Sequence, residues 1–202
     1  MGTNTHGTVT VGGKKVNVEA DFASDHVVFS GGRRGEVKYA NIEVLGTAKG
    51  ILKLRVDGAE MQFPLGDKVD RIANKIRKPP SLLDKLGAKP GLKMAADGVP
   101  KWFFGQAEEA GLAVANGIPG KPVDLLFVNA ADLDSLAFDD WRRRITPNGG
   151  VWVVFRKAQH GFRDSDVIQA GRDAGLKDIK VARFSETHTA LKFVLPFVDR
   201  AA

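Results

Sequence analysis

Hydrophobic and polar residues alternate along the first third of the chain, as they do in strands that bury one face. Val9 and Val11 precede a glycine-rich turn, and Val16 and Val18 follow it, which predicts a β-hairpin. Further short alternating segments, separated by glycines, continue to residue 65. Short strands at this spacing predict a small barrel or sandwich.

The hydrophobic period changes after Gly66. Val69, Ile72, Ala73 and Ile76 are spaced as on one face of a helix. The sequence therefore predicts one amphipathic helix after a run of about six or seven strands.

A proline pair marks the predicted domain boundary. Pro79 and Pro80 cannot continue the preceding helix, and Ser81 can cap the next one. We predict a β domain over residues 1–78, a linker over 79–81 and a second domain over 82–202.

Strand and helix patterns alternate in the second domain. Residues 123–129 are apolar throughout, as in a strand buried on both faces of a parallel sheet. A helix is predicted over 132–145, a Pro-Asn-Gly-Gly turn over 147–150, a strand over 151–155 and a helix over 164–174. Such alternation predicts a three-layer α/β domain with right-handed crossovers.

Composition narrows the classes of function. The chain of 202 residues contains no cysteine, which excludes disulfides and thiolate metal sites, and its four histidines lack close metal-ligand spacing. No segment reaches the roughly 20 apolar residues of a membrane span, and the first residues lack a signal peptide. We expect a soluble cytoplasmic protein without a metal.

The net charge of +6 is only mildly concentrated. Residues 1–80 contain thirteen basic and nine acidic residues, and the remainder contains seventeen and fifteen. An even basic surplus is typical of a solvated surface, so we do not expect a nucleic-acid partner.

The order of elements over residues 8–78 resembles a pleckstrin-homology-like domain, in which a C-terminal helix closes a bent barrel. Such domains bind phosphoinositides through basic loop residues. The resemblance implies anion-binding candidates at the predicted hairpin tips, namely Lys14, Lys15, Arg33 and Arg34. The alternative is that these tips carry basic residues only because they are solvated.

Residues 124–155 resemble the second half of a class I S-adenosylmethionine-dependent methyltransferase, with a strand, a helix, a Pro-x-Gly-Gly turn and another strand. The resemblance implies a glycine-rich cofactor loop after the first strand and an acidic residue after the second. Here the loop AADGVPKWFFG has Gly98 as its one glycine before Pro100, and LAVANGIPG offers Asn116 instead of an acid. We therefore expect no cofactor and no catalytic residue.

A second resemblance covers residues 81–199. The segments SLLDKLGAKPGLK, DLLFV and SETHTALKFV are similar to those of a bacterial domain family of unknown function with a shortened, Rossmann-like methyltransferase fold. His188 departs from the family, which has an aromatic residue after Glu-Thr. The resemblance implies a fold and no activity.

A binding crevice is expected at the carboxyl ends of the predicted strands. That edge should carry Asp97, Asn129, Arg156, Lys157 and His160. The family resemblance adds three candidates that could recognise an anionic or zwitterionic ligand, Glu186, Thr187 and Lys192. The alternative is a set of surface ion pairs that contribute little.

Three hypotheses follow. The first is a non-catalytic binding or interaction protein, whose partner is an unknown protein or a small anionic ligand. The second is a divergent methyltransferase that uses Asp97 and Asn116 to hold its cofactor. The third is recognition of anionic lipid or phosphate by the N-terminal domain. The sequence indicates no oligomeric state.

Overall fold

The chain is described by a computed structural model that covers residues 2–11, 13–157 and 160–199. It divides into two compact units, Met1–Ser81 and Leu82–Ala202. In the described part of the chain, no helix has both the length and the apolarity to span a membrane.

In its described residues, the first unit is a single antiparallel sheet followed by one helix. Its elements are β1 (Thr3–Val11), β2 (Lys14–Phe22), β3 (His26–Gly31), β4 (Gly35–Lys38), β5 (Glu43–Ala48), β6 (Ile51–Val56), β7 (Ala59–Pro64) and α1 (Val69–Arg77), with short 3-10 turns at Tyr39–Asn41 and Gly66–Lys68. The predicted hairpin is confirmed, since Val9 pairs with Val16 across β1 and β2.

The seven strands curl around one core. Their order is β4-β3-β2-β1-β7-β6-β5, so that β1 and β7, which are far apart in the chain, join the two halves. Alternate side chains, such as Val18, Ala20 and Phe22, are buried in the concave face. Helix α1 packs against β5 and buries the four residues that the sequence predicted for its apolar face, Val69, Ile72, Ala73 and Ile76.

The predicted pleckstrin-homology-like barrel is wrong. The described strands form one curled half-barrel sheet, whose edge strands β4 and β5 do not pair with each other. Alternation of polar and apolar residues shows which strands bury one face. It does not show whether the sheet closes, because closure depends on strand tilt and stagger.

The described residues of the second unit form six strands and four short helices. Its elements are α2 (Leu82–Leu86), β8 (Met94–Asp97), α3 (Lys101–Glu109), β9 (Ala115–Asn116), β10 (Val123–Ala130), α4 (Phe138–Trp141), β11 (Ile145–Arg156), α5 (Asp164–Asp173), β12 (Lys177–Arg183) and β13 (His188–Val194), with 3-10 turns at Arg142–Arg144 and Phe197–Asp199.

The sheet of the second unit is mixed. Its order is β12-β13-β11-β10-β8-β9, and the strands from β11 to β9 are parallel. Strand β13 is antiparallel to both of its neighbours. Hydrophobic cores cover the two faces of the sheet, one around Phe127 and Trp152 and the other around Trp141 and Phe193.

The predicted Rossmann-like three-layer domain is therefore wrong as a description of this sheet. Strand β13 returns from β12 through a hairpin and enters the sheet in the opposite direction to β11. The helix predicted over 132–145 is also wrong. The structure has four helical residues in α4 and then a 3-10 turn. The helix predicted over 164–174 is confirmed as α5.

The Pro-Asn-Gly-Gly segment is not the predicted chain reversal. Residues 147–150 belong to β11, and the pairing with β10 jumps from Val123 opposite Ile145 to Leu125 opposite Gly150. A side chain at Gly149 would lie 2.9 Å from the backbone oxygen of Asp124. Glycine is needed here because two strands approach closely around a bulge, not because of a positive φ.

Candidate functional site

The order of strands in the second unit changes direction at β8. The chain leaves β8 through α3 and returns as β9 on one side, whereas β10 lies on the other side. In open sheets with parallel strands, ligands bind outside the carboxyl ends of the strands where the order reverses in this way. The candidate crevice therefore lies between the end of β8 and the end of β10.

Asp97 and Asn129 flank this crevice. Asp97 is the last residue of β8 and is exposed, and Asn129 is half-buried near the end of β10. No described residue hydrogen-bonds to the Asn129 amide, which leaves both of its polar atoms available to a ligand. These two candidates from the sequence are thus brought to one edge of the sheet.

Gly98 lets the backbone turn away directly after β8. Its φ of 67° lies in the left-handed region, where side chains are disfavoured. A Cβ at this position would lie 3.4 Å from the Cβ of Asn129. A substituted residue would therefore be strained and would also narrow the crevice.

Strand β9 continues this edge beyond β8. The backbone N–H of Gly117 donates to the Ala96 carbonyl at 2.8 Å, which places exposed Asn116 next to the end of β8. The amide of Asn116 can donate to and accept from hydroxyl groups, but it carries no charge.

Lys157 fixes the β12–β13 loop against the end of β11. Its backbone N–H donates to the Thr187 carbonyl at 2.9 Å. Its ammonium group donates to the carbonyls of Ser185 at 2.8 Å and Glu186 at 3.2 Å. The Glu186 carboxylate pairs with Arg183. The structure therefore brings together the candidates Lys157, Glu186 and Thr187. The ammonium group of Lys157 is engaged by loop carbonyls, and the Glu186 carboxylate is engaged by Arg183.

His188 begins β13 beside this loop and pairs with Arg156 of β11. Its Nδ1 atom lies 2.9 Å from the Thr187 hydroxyl and 3.3 Å from the Ser185 hydroxyl. Burial lowers the pKa of His188, and the positive charges of Arg156 and Lys157 lower it further. The imidazole is therefore neutral at pH 7.

Lys192 lies away from the crevice edge, and no contact places His160 in the crevice among the described residues. Lys192 is opposite Trp152, four residues from the crevice end of β13, and its ammonium lies 5.8 Å from the centroid of the Trp152 ring. Burial lowers the pKa of Lys192, and the nearby charge of Lys180 adds to the effect. His160 is exposed and, among the described residues, has no hydrogen-bond partner.

The predicted anion-binding residues lie at two turns of the first unit. Lys14 and Lys15 are exposed at the start of β2, and Arg34 is exposed before β4. Arg33 pairs with Asp57 and lies over the Phe29 ring. The charge of Arg33 is therefore already compensated.

A groove of about 390 Å³ lies on the second unit, beside the start of α4 and the end of α5. Its lining combines Phe138 with two acidic residues, Asp139 and Asp173. Another cleft, of about 400 Å³, lies on the first unit beside the pairing of β1 with β7, and His6, Thr8 and Gln62 are part of its lining. Neither includes a residue that the sequence predicted for binding.

Sequence reasoning misses Ser185 and Phe184. Ser185 organises the loop by accepting the backbone N–H groups of Thr187 and His188. Phe184 is buried and packs against Trp102, with ring centroids 5.2 Å apart and the ring planes tilted by 45°. The alternation of Ala182 and Phe184 at the end of β12 is a signal that could have shown which face the ring occupies.

No protein family and no curated protein matches the chain. Several solved structures are similar at low identity. A ribosomal protein L11 methylase from Lactobacillus delbrueckii subsp. bulgaricus is 13% identical, with 56% of this chain and 74% of that chain covered and a TM-score of 0.40. A TehB-like SAM-dependent methyltransferase from Corynebacterium glutamicum is 13% identical, with 64% and 97% covered and a TM-score of 0.38.

A SAM-dependent methyltransferase from Aquifex aeolicus is 14% identical to the chain, with 60% of this chain and 74% of that chain covered and a TM-score of 0.35. These three similar structures are methyltransferases. At such TM-scores the likeness has no bearing on activity, and the functional argument depends on the residues of this chain.

Proposed function

We propose that residues 82–202 form a divergent methyltransferase domain that binds S-adenosylmethionine in the crevice between β8 and β10. The observation that carries the proposal is the reversal of strand order at β8, where a Cβ on Gly98 would lie 3.4 Å from the Cβ of Asn129. The class of ligand comes from the resemblance of residues 124–155 to class I methyltransferases.

The residues at this edge fit such a ligand in three respects. Gly98 allows the backbone to approach a nucleoside closely. Asp97 offers a carboxylate to the ligand's hydroxyl or ammonium groups, and Asn116 offers an amide to a hydroxyl. Asn129 presents a half-buried amide without a described partner. When bound, S-adenosylmethionine supplies an electrophilic methyl group.

A specific observation favours a second candidate function, which is ligand binding without catalysis. Only three residues separate β8 from α3, and one of them, Val99, is buried. The end of β9 carries Asn116 where a carboxylate would bind ribose hydroxyls more strongly. Both features weaken the binding of a cofactor. The alternative is therefore a domain that retains the fold and binds a ligand without transferring a methyl group.

Calorimetry on the full chain tests the proposal. We expect heat on titration with S-adenosylmethionine and with its demethylated product. Gly98→Ala should weaken binding at least about tenfold, because the added methyl group strains the turn and narrows the crevice. Gly111→Ala is the matched control, since Gly111 has a similar φ of 70° but a Cβ there would meet nothing within 4 Å.

The outcomes separate the two candidates. No heat from folded wild-type protein at millimolar ligand would rule out both the cofactor and the methyltransferase. Binding of cofactor without transfer of a labelled methyl group to protein, nucleic-acid or small-molecule acceptors would favour the non-catalytic candidate. Equal weakening by Gly98→Ala and Gly111→Ala would place the ligand outside this crevice.

A further inference from the structure

A row of side chains crosses β11, β13 and the residue that follows β12 at the crevice edge of the second unit. Arg156 of β11 is paired with His188 of β13. The Phe184 backbone N–H donates to the His188 carbonyl at 3.1 Å, so Phe184 lies across from His188 on the other side. Because side chains alternate along strands, these three residues share the face on which Val154, Ala182 and Ala190 are buried.

Arg156 is the uncompensated charge in this row. Its side chain is exposed, and within the described part of the chain it has no hydrogen-bond or ion-pair partner. Lys157 is occupied by two loop carbonyls, and Glu186 is occupied by Arg183. A free guanidinium of this kind can bind a carboxylate through two parallel hydrogen bonds.

Three aromatic rings, those of Trp102, Phe103 and Phe184, pack together at the other end of the row; we call them the aromatic wall. Trp102 of α3 packs on Phe184 with ring centroids 5.2 Å apart, and Phe103 supports Phe184 from the core at 5.5 Å. Phe103 and Phe184 are buried, whereas Trp102 remains 41% exposed. The indole therefore offers part of its surface to a further planar ring, held in place by two buried ones.

His188 lies between the guanidinium and the aromatic wall. The hydroxyls of Thr187 and Ser185 hold its Nδ1 atom. Burial together with the charges of Arg156 and Lys157 lowers the pKa of His188, so the ring is neutral at pH 7 and can accept or donate one hydrogen bond to a ligand.

We propose that Arg156, His188 and Trp102 form a binding site for a planar aromatic carboxylate. Arg156 binds the carboxylate, and Trp102 stacks on the ring. The backbones of Arg156 and of Phe184, on which Trp102 packs, lie two interstrand spacings apart, roughly 10 Å.

The site is separate from the proposed cofactor crevice in its residues. It uses neither Asp97 nor Gly98 nor Asn129, and its ligand needs no cofactor to bind. Failure of either proposal therefore leaves the other untouched.

Nuclear magnetic resonance of the full chain with benzoate tests the site. We expect benzoate to shift the indole N–H of Trp102, the ring protons of His188 and the Nε–H of Arg156. Cyclohexanecarboxylate keeps the charge and loses the planar ring, and benzamide keeps the ring and loses the charge. Each should bind at least about tenfold more weakly than benzoate, since each removes one of the two contacts.

Variants assign the contacts. Arg156→Gln should abolish the preference for benzoate over benzamide, and Trp102→Leu should abolish the preference for benzoate over cyclohexanecarboxylate. Arg143→Gln is the charge-matched control, because Arg143 is also exposed and precedes the opposite end of β11. Equal effects of Arg156→Gln and Arg143→Gln, or no shift at these three residues with millimolar benzoate, would overturn the proposal.

Discussion

The two sheets of this chain differ in whether neighbours in space are neighbours in sequence. In the first unit, the pairing of β1 with β7 is the single described pairing between strands that are not consecutive. In the second unit, β8 pairs with β10 and β11 pairs with β13. The difference bears on where a binding site can form, because a reversal of strand order opens a crevice at the ends of the strands, whereas strands that follow one another place their loops at hairpin tips.

The sheets also differ in how they are covered. In the first unit, side chains of β2 alternate between the core and solvent, and one core fills the concave face. In the second unit, the central strands β10 and β11 are buried on both faces by two cores. Each unit thus has core residues of its own, which predicts that each can be destabilised separately.

Truncation of one core ring in each unit tests this separation and should have the largest effect. Phe63 contacts Phe22 and Phe29, and Phe127 contacts Phe103; both rings are fully buried. Phe63→Ala and Phe127→Ala should each lower the unfolding free energy of their own unit by about 3–5 kcal/mol. Hydrogen exchange on the full chain would measure both units at once. Equal loss of protection in both units from either variant would contradict the predicted domain boundary at residues 79–81.

Two helical glycines, Gly171 of α5 and Gly105 of α3, test how tightly these helices pack on the sheet of the second unit. A Cβ at Gly171 of α5 would lie 2.3 Å from the Phe193 ring, whereas a Cβ at Gly105 of α3 would meet nothing within 4 Å. Gly171→Ala should therefore destabilise the unit by about 1–3 kcal/mol through overpacking. Gly105→Ala should stabilise it by up to about 1 kcal/mol, because alanine favours helix. Denaturant midpoints compare the two, and a gain from both would show that α5 does not pack tightly on the sheet.

Local patterns predict several elements of both units, although not the extent of α4 or the start of β11, and they do not predict the arrangement of the elements. The spacing of Val69, Ile72, Ala73 and Ile76 predicts α1 correctly, and the apolar run at 123–129 predicts β10. The direction of β13 and the open edge of the first sheet depend on contacts between distant segments. Periodicity within a window does not contain that information.

The residues of the candidate site also fall into those whose place in the sheet the sequence predicts and those whose place it does not. Asp97, Asn129, Arg156 and Lys157 could be placed at one edge because the carboxyl ends of parallel strands meet there. Lys192 could not, because its position depends on where along β13 the antiparallel pairing begins. The role of Ser185 was not predicted, because a loop hydroxyl that accepts hydrogen bonds from backbone N–H groups produces no periodic pattern in the sequence.

The pH dependence of the second unit follows from His188. Its pKa is lowered in the folded state by burial and by Arg156 and Lys157, below the ordinary value of 6.5. As pH falls through 6.5, the unfolded chain therefore binds protons first, and the folded unit loses stability until the pH passes the folded-state pKa. Above pH 6.5 the group contributes nothing, because the imidazole is neutral in both states.

His188→Gln should remove this contribution. We expect the denaturant midpoint of the variant to fall less between pH 7.5 and 5.5 than that of the wild type. Titration of the His188 ring protons by nuclear magnetic resonance gives an independent measure, since the folded-state pKa should lie below its ordinary value. An unchanged pH dependence together with an unshifted ring titration would show that neither burial nor the charges of Arg156 and Lys157 lower the pKa of this imidazole.

The smallest expected effect concerns the hairpin tips of the first unit, where the meander concentrates exposed basic residues. If Lys14 and Lys15 recognise anionic lipid, each should contribute less than about 1 kcal/mol to retention on vesicles rich in anionic lipid. Lys14→Gln with Lys15→Gln should lower retention a few-fold at about 0.01 M salt, where charge attraction reaches roughly 30 Å, and should have little effect at 0.15 M. Lys89→Gln with Lys101→Gln removes the same charge from exposed positions of the second unit. Equal losses from the two double variants would mean that net charge alone draws the chain to the vesicle.

Asp57→Asn is a second test of the hairpin tips of the first unit. It releases Arg33 from its ion pair, and it should raise retention on the vesicles only if those tips face the lipid.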